Sequence, residues 1–491
     1  MLLQSALVAL GATLAAAVQP MEVEGNYFVN PSTGNRFQIV GVAYQPGGSA
    51  GYKPEEGKDP LSNGDICMRD AALMQILGIN TIRVYNLDPN LNHDECASIF
   101  NAAGMYMILD VNSPLVGESI TTTNPWESYY AAYLNRTFAV VEAFKSYPNT
   151  LAFFSGNEVI FNVAAGATVP PYMRAVTRDL KNYIKKHSDR TIPVGYSAAD
   201  VRDILFDSWE YLQCAEDGDA DDMSRGDLFA LNSYSWCGDS SFTTSSYDDL
   251  VSGFEGSSLP IFFSEYGCNE PTPRVFTEVP VIYGSQMNGV LSGGIVYEYA
   301  QEENNYGLAD LHDDDDNSVD LLADFLTLQK QYAKLDWTEV QGAKPPSGAS
   351  PKPPTCSASL IKSKTFTTNF TVPALPPGAQ EIIDKGVSPK PVGKIISISD
   401  YTVKYEVRNP NGTILSDLAV KPLADDEINA PGSNTATATG SATRTGTAST
   451  SSSTSSNDAA PGRMPTSFGL PIAVIATVLL GNVAGFLVLF Q

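Results

Sequence analysis

Two glutamates close strand-like runs of nearly the same composition. "FFSGNEV" (153–159) carries Glu158 and "FFSEYGCN" (262–269) carries Glu265. In each, two phenylalanines and a serine lead to the carboxylate, and no basic residue adjoins it. Two carboxyl groups meeting over one cleft can break a glycosidic bond. One, protonated, gives its proton to the departing oxygen, while the other, ionised, meets the positive charge growing at the anomeric carbon. One such glutamate is equally well explained as a strand end; two in matching contexts favour a site. Asn157, just before Glu158, could hydrogen-bond a sugar 2-hydroxyl, and Tyr266, just after Glu265, offers a hydroxyl to orient a carboxylate.

Such a pair needs a scaffold that brings distant strand ends together. Residues 25–335 alternate short apolar runs with longer helical patterns. The strand candidates are "RFQIVGVAY" (36–44), "TIRVYN" (81–86), "MYMILDVN" (105–112), "TLAFFSGNE" (150–158), "TIPVGYSA" (191–198), "LFALNSYSW" (228–236), "LPIFFSEYG" (259–267) and "GGIVYEYA" (293–300). Several are apolar almost throughout, as parallel strands covered on both faces are. Between them, "DICMRDAALMQILG" sets Ile66, Leu73, Ile76 and Leu77 on one helical face and stops at Gly78. "PPYMRAVTRDLKNYIKKH" groups Tyr172, Val176, Leu180 and Ile184, with its basic residues on the other side and toward its end.

Eight strands separated by helices predict an α/β fold, a (β/α)8 TIM barrel over residues 22–340. A doubly wound open sheet is the alternative, but no glycine-rich phosphate loop follows the first strand. Active sites of such barrels gather at the C-terminal strand ends. Glu158 on the fourth strand and Glu265 on the seventh are thus delivered to one rim.

The rest of the chain reads as processing and attachment. Residues 1–17 form an apolar leader ending in small residues, expected to be a signal peptide cleaved after Ala17. Past a Pro/Lys-rich break, residues 341–425 predict a linker and a small β-rich appendage, with alternation in "IISISDYTVKYEV". A Ser/Thr/Ala-rich disordered stalk is expected over 426–457. Small residues, a polar spacer and the apolar run to Phe490 then match a glycosylphosphatidylinositol (GPI) signal propeptide over 458–491, with Asn457 as attachment residue. A single membrane span is the alternative.

The 491 residues carry a formal charge of −25, which disfavours nucleic acid and anionic lipid as partners. A neutral polysaccharide fits better, and 10% aromatic residues supply flat faces for sugar rings. "DDDD" (313–316) reads as a solvated loop. Six cysteines in a secreted chain should pair, and fifteen connectivities are open. No Cys/His spacing suggests a metal, and no cofactor is expected. Sequons at Asn135, Asn369 and Asn411 agree with secretion.

With "SGNEV", "SEYGCN", "GVAYQPGG", "TIRVYNLDP" and "VYEYAQEENNYGL", together with both tails, the chain resembles the fungal β-1,3-glucanosyltransferases of glycoside hydrolase family 72 over about residues 22–420. The resemblance implies a retaining mechanism, with Glu158 as acid/base, Glu265 as nucleophile and the carboxyl groups about 5–5.5 Å apart. It implies glucan-lining positions Gln45, Tyr85, Asp110, Asn157, Asp200, Arg202, Tyr234, Tyr297 and Tyr306, with Ser113 opening a loop along the donor cleft. Tyr234 and Tyr297 could stack on glucose or position Glu265, and Asp200 and Arg202 could instead form a structural ion pair. It also implies the pairings Cys67–Cys96, Cys214–Cys356 and Cys237–Cys268. Some members carry a cysteine-rich carbohydrate-binding module; no cysteine follows Cys356 here. The expected partners are donor and acceptor β-1,3-glucan chains and, through the anchor, the outer face of the plasma membrane, with the protein a monomer. A retaining endo-β-1,3-glucanase and a non-catalytic glucan-binding wall protein are the alternatives.

Overall fold

The computed structural model describes residues 18–441, except 314, 348, 349, 391 and 436. The predicted leader, Asn457 and the apolar C-terminal run lie outside the described residues. Eight parallel strands run β1 (Ile39–Ala43), β2 (Thr81–Val84), β3 (Tyr106–Asp110), β4 (Thr150–Asn157), β5 (Val194–Ala199), β6 (Leu228–Asn232), β7 (Ile261–Tyr266) and β8 (Leu291–Val296). Each pairs with its chain neighbours, and β8 pairs back onto β1, so the sheet closes without an edge. All lie on the predicted runs, except that β8 starts two residues early, at Leu291, and β5 ends one residue late, at Ala199.

The surrounding helices include α1 (Gly64–Leu77), α2 (Asp94–Ala102), α3 (Ala131–Phe144), α4 (Pro170–His187), α5 (Leu205–Gln213), α6 (Tyr247–Phe254) and α7 (Ala323–Tyr332). Helix α1 starts at Asn63, whose side chain accepts from the Asp65 and Ile66 amides. It ends at Gly78, where φ is 84° and a β-carbon would lie 2.5 Å from Pro431, so no other residue fits. Helix α4 opens on two prolines, whose fixed φ and missing N–H suit a first turn, and closes on Lys185, Lys186 and His187, which suit the negative end of its dipole.

Strand alternation divides the barrel's side chains. Ile82, Val84, Met107, Leu109, Phe229 and Leu231 point outward into the helix layer. Inside, Ile108, Ala152, Phe154, Ala230, Phe262 and Ile295 fill the lower barrel. A three-stranded antiparallel sheet (Glu22–Glu24, Tyr27–Asn30, Asn35–Arg36) supplies Phe28, edge-on to Phe262 at 5.9 Å, while Phe37 meets Tyr106 at 5.1 Å. Above Phe154 and Phe262 the inward positions turn polar.

Beyond the barrel the expectation of a β-rich appendage holds only in part. Its strands are short: β11 (Val407–Arg408), β12 (Thr413–Ser416) and β13 (Thr437–Ser441). With β9 (Ala309–Leu311) and β10 (Val319–Leu321) they form a five-stranded sheet. Most of residues 350–435 instead runs as extended chain over the barrel helices. Its amides find polar side chains there: Lys394 N on Asp94 (2.8 Å), Ile396 N on Ser98 (2.9 Å), Lys362 N and Ser363 N on Asp207 (2.7 and 2.8 Å) and Lys421 N on Gln75 (2.9 Å). The expected stalk also begins later than 426, because Asn429 is buried and donates to Ile79 O (2.7 Å), and β13 pairs with β12. Asp313 of the acidic run is exposed, and its carboxylate also meets buried Arg69 at 2.7 Å.

Three disulfides are present: Cys67–Cys96 between α1 and α2, Cys237–Cys268 beyond β6 and β7, and Cys214–Cys356, which ties the wrapping segment back to the barrel across 142 residues. Asn135, Asn369 and Asn411 are all exposed.

Candidate active site

The polar upper layer centres on Arg83, an inward residue of β2 with no exposed surface. Its Nε and Nη2 donate to Asp110 (3.0 and 3.3 Å), Nη1 to Glu265 Oε1 (3.2 Å) and Nη2 to Asn157 Oδ1 (2.9 Å). One guanidinium thus joins β2, β3, β4 and β7. Its flat faces rest near the rings of Tyr85 (4.3 Å) and Phe154 (4.8 Å). Burial opposes its charge, but Asp110, Tyr85 and Glu265 outweigh this and raise its pKa.

Glu265 is buried, and three donors converge on its carboxyl: Arg83, Tyr85 OH on Oε1 (3.0 Å) and Tyr234 OH on Oε2 (2.6 Å). Alternation would turn a residue next to inward Ser264 away from the mouth. A register shift between Phe263 and Glu265 re-aims it. Burial pushes the carboxyl up to about 7, with Glu158 adding to the rise and Arg83, Tyr234 and Tyr85 working against it.

Glu158 follows β4 with φ at 51°, an uncommon conformation for a residue with a side chain. Its amide donates to Ser197 O (2.8 Å), and its Oε1 accepts from Asn232 Nδ2 (2.8 Å). Unlike Glu265 it is only partly buried. Asn232 also donates to Asn157 Oδ1 (3.1 Å), and its Oδ1 accepts from Ser264 (2.8 Å) and Ser197 (3.2 Å). The two glutamates therefore share one hydrogen-bonded network, through Asn232, Asn157 and Arg83.

The remaining predicted positions divide between that network and its margins. Asp110 pairs with Arg83, and burial raises its pKa against that guanidinium's pull. Tyr234, Tyr297 and Tyr306 form an edge-to-face trio at 5.4–6.2 Å, of which Tyr234 holds Glu265. Gln45 accepts the Tyr85 and Asn86 amides (3.3 and 3.1 Å), fixing the exit of β2. Asp200 and Arg202 are paired with each other, and Asp200 also takes a bond from Ser233 (2.7 Å). They border a neighbouring cleft of about 710 Å³, walled by Phe206, Trp209 and Lys362, which neither glutamate lines. Ser113 turns inward on its own loop, donating to Glu118 (2.5 Å).

One expectation needs correction. Tyr266 does not orient Glu265; its hydroxyl lies in the outer core, 3.0 Å from that of Tyr332. Asn157 Oδ1 is committed to Arg83, Ser197 and Asn232. Any sugar contact falls to its Nδ2. Sequence reading also passed over Arg83, Ser197, Asn232 and Ser264. The signal was available, because each is a polar residue at an inward, alternating position of an otherwise apolar parallel strand.

Comparison with known proteins agrees with this geometry. A family model described as glucanosyltransferase, glycoside hydrolase family 72, matches residues 10–336. The Aspergillus fumigatus 1,3-beta-glucanosyltransferase gel2 is 53% identical over 87% of this chain and 88% of its own. The Saccharomyces cerevisiae probable 1,3-beta-glucanosyltransferase GAS3 is 43% identical over 88% and 85%. Among solved structures, a mutant of Saccharomyces cerevisiae Gas2p in complex with laminaritetraose and laminaripentaose superposes with a TM-score of 0.63 at 36% identity, covering 73% of this chain and 75% of that one. From the strand-end carboxylates to these matches, the chain belongs to the glucanosyltransferases of glycoside hydrolase family 72.

Proposed function

We propose that this protein is a retaining β-1,3-glucanosyltransferase that cuts an internal β-1,3-glucan linkage and joins the new end to another β-1,3-glucan chain. The observation that carries the reading is the unequal treatment of two carboxyl groups in one network. Glu265 is buried and held by three donors, which fix its oxygens for attack and offset part of the burial that raises its pKa. Glu158 is reached by one donor and stays partly open, as a group that gives and takes a proton with successive substrates requires.

In the first step Glu265 attacks the anomeric carbon and forms an ester, while Glu158 protonates the oxygen of the departing chain. In the second, Glu158 takes the proton from the 3-hydroxyl of an acceptor glucan. That oxygen attacks the anomeric carbon, and the Glu265 carboxylate is released. Water in place of the acceptor gives hydrolysis, so transfer depends on how well the acceptor fills its place. Tyr85, Asp110, Asn157, Tyr234, Tyr297 and Tyr306 surround or support this centre, and Gln45 fixes its edge. The paired Asp200 and Arg202 shape the adjoining cleft.

The sequence features of both ends support a secreted protein held by a GPI anchor at Asn457 on the outer face of the plasma membrane and in the wall. The test of function is mass spectrometry of products from a reduced laminarin-type oligosaccharide. Transfer yields chains longer than the donor; a hydrolase yields shorter ones alone. A binding protein leaves the donor unchanged, and its Glu265→Gln form binds glucan as the wild type does.

A further inference from the structure

Among the described residues seven large hydrophobic side chains are exposed, and five stand on two adjoining loops of the rim: Leu115, Val116, Trp126, Tyr130 and Phe161. The first four rise between β3 and α3. Phe161 follows Glu158 by three residues on the exit of β4. Trp126 is 52% and Phe161 48% exposed. Clusters of this kind on a soluble protein mark a contact surface.

The backbone beneath them is well held. Arg136 donates to Glu118 (2.8 Å), Val111 O (3.0 Å) and Leu87 O (2.7 Å). Tyr130 OH donates to Gly117 O (3.2 Å), and Thr122 Oγ1 reaches Val159 O (3.4 Å), joining the two loops one residue beyond Glu158. The aromatic side chains are therefore presented outward from a fixed frame.

We propose that this rim is a second glucan-holding surface, on which a β-1,3-glucan chain leaving the cleft past Glu158 lays its sugar rings against Trp126, Tyr130 and Phe161. The inference rests on the glucan-transfer reading. Continuity with the Glu158 strand exit selects the polysaccharide as occupant, and the net charge of −25 repels an anionic lipid surface. Flat aromatic faces match the apolar faces of glucose.

The test is the Trp126→Ala/Phe161→Ala variant of the full chain, assayed on a long soluble β-1,3-glucan and on a short laminari-oligosaccharide that fills the cleft alone. The expected result is a KM on the long donor raised roughly tenfold, with kcat, KM on the short donor and melting temperature unchanged. Equal KM on the long donor, or a parallel loss on both donors, overturns the proposal. So does a dimer in wild-type sedimentation that the variant dissociates, or wild-type flotation with phosphatidylcholine vesicles that the variant loses. Absence of turnover by the wild type on either donor counts against the transfer reading instead. The rim is then judged by co-sedimentation of Glu265→Gln protein with insoluble β-1,3-glucan: loss of binding on adding the two alanines supports it, and full retention overturns it.

Discussion

The barrel mouth and the segment that wraps the barrel after residue 341 satisfy their polar groups in opposite ways. At the mouth, side chains bond one another: Arg83, Asp110, Asn157, Asn232 and Glu265 form a buried network over regular strands. In the wrap, backbone amides bond side chains of the helices beneath, at Asp94, Ser98, Asp207 and Gln75. The first arrangement costs stability to build and serves chemistry. The second contributes stability and lies away from the reacting centre. Mutations should separate them cleanly.

The largest effects belong to the mouth. Glu158→Ala should lower transfer roughly 10²–10⁴-fold, and Glu265→Ala at least as far, with the fold intact. Turnover within tenfold of wild type in either would remove its assignment. Arg83→Met leaves Asp110 and Glu265 buried without their cation and should cost about 3–5 kcal/mol in urea unfolding. A loss below about 1 kcal/mol, the range of an exposed pair, would show the network to be far wetter than its burial indicates.

The wrap should answer in stability alone. Replacing Cys214 and Cys356 together by serine should cost about 2–5 kcal/mol and leave turnover near wild type below the new melting point. Loss of turnover there would mean that the wrap reaches the mouth. Gln75→Ala, which strips partners from both the Lys421 amide and its carbonyl, should cost about 1–3 kcal/mol by calorimetry.

The smallest effect is a titration. Glu265 is raised from 4.5 to about 7 and Glu298 to about 8, so the folded state holds protons there that the unfolded chain releases. What these two groups contribute to stability should be fullest below pH 4.5 and be lost as pH rises through 7–8, while turnover rises as Glu265 ionises. Tyr234→Phe removes a donor that lowers the Glu265 pKa, moving the acid limb of kcat/KM upward. An unmoved limb assigns that limb to another group.

Much of the mouth was legible because regular strands carry a period. "TIRVYN" alone sets Arg83 opposite Ile82 and Val84, and strand ends placed Glu158 and Glu265 on one rim. What stayed hidden depends on departures from the period or on partners distant in sequence. The shift before Glu265 turns it toward the mouth and leaves Tyr266 facing Tyr332. The wrap has no period, since its bonding partners lie on α1, α2 and α5, more than a hundred residues upstream. Alternation in "IISISDYTVKYEV" therefore suggested strands where the chain mostly runs extended and unpaired with any neighbour strand.

The double pairing of Arg83 bears on the covalent stage of the reaction. In the mechanism proposed above, Glu265 carrying the glycosyl group is a neutral ester, and the guanidinium then loses one counter-charge. Asp110, on the other side of the same fork at 3.0 Å, keeps that cation neutralised throughout. The ester can thus wait for an acceptor without an orphaned charge beneath it hastening its collapse.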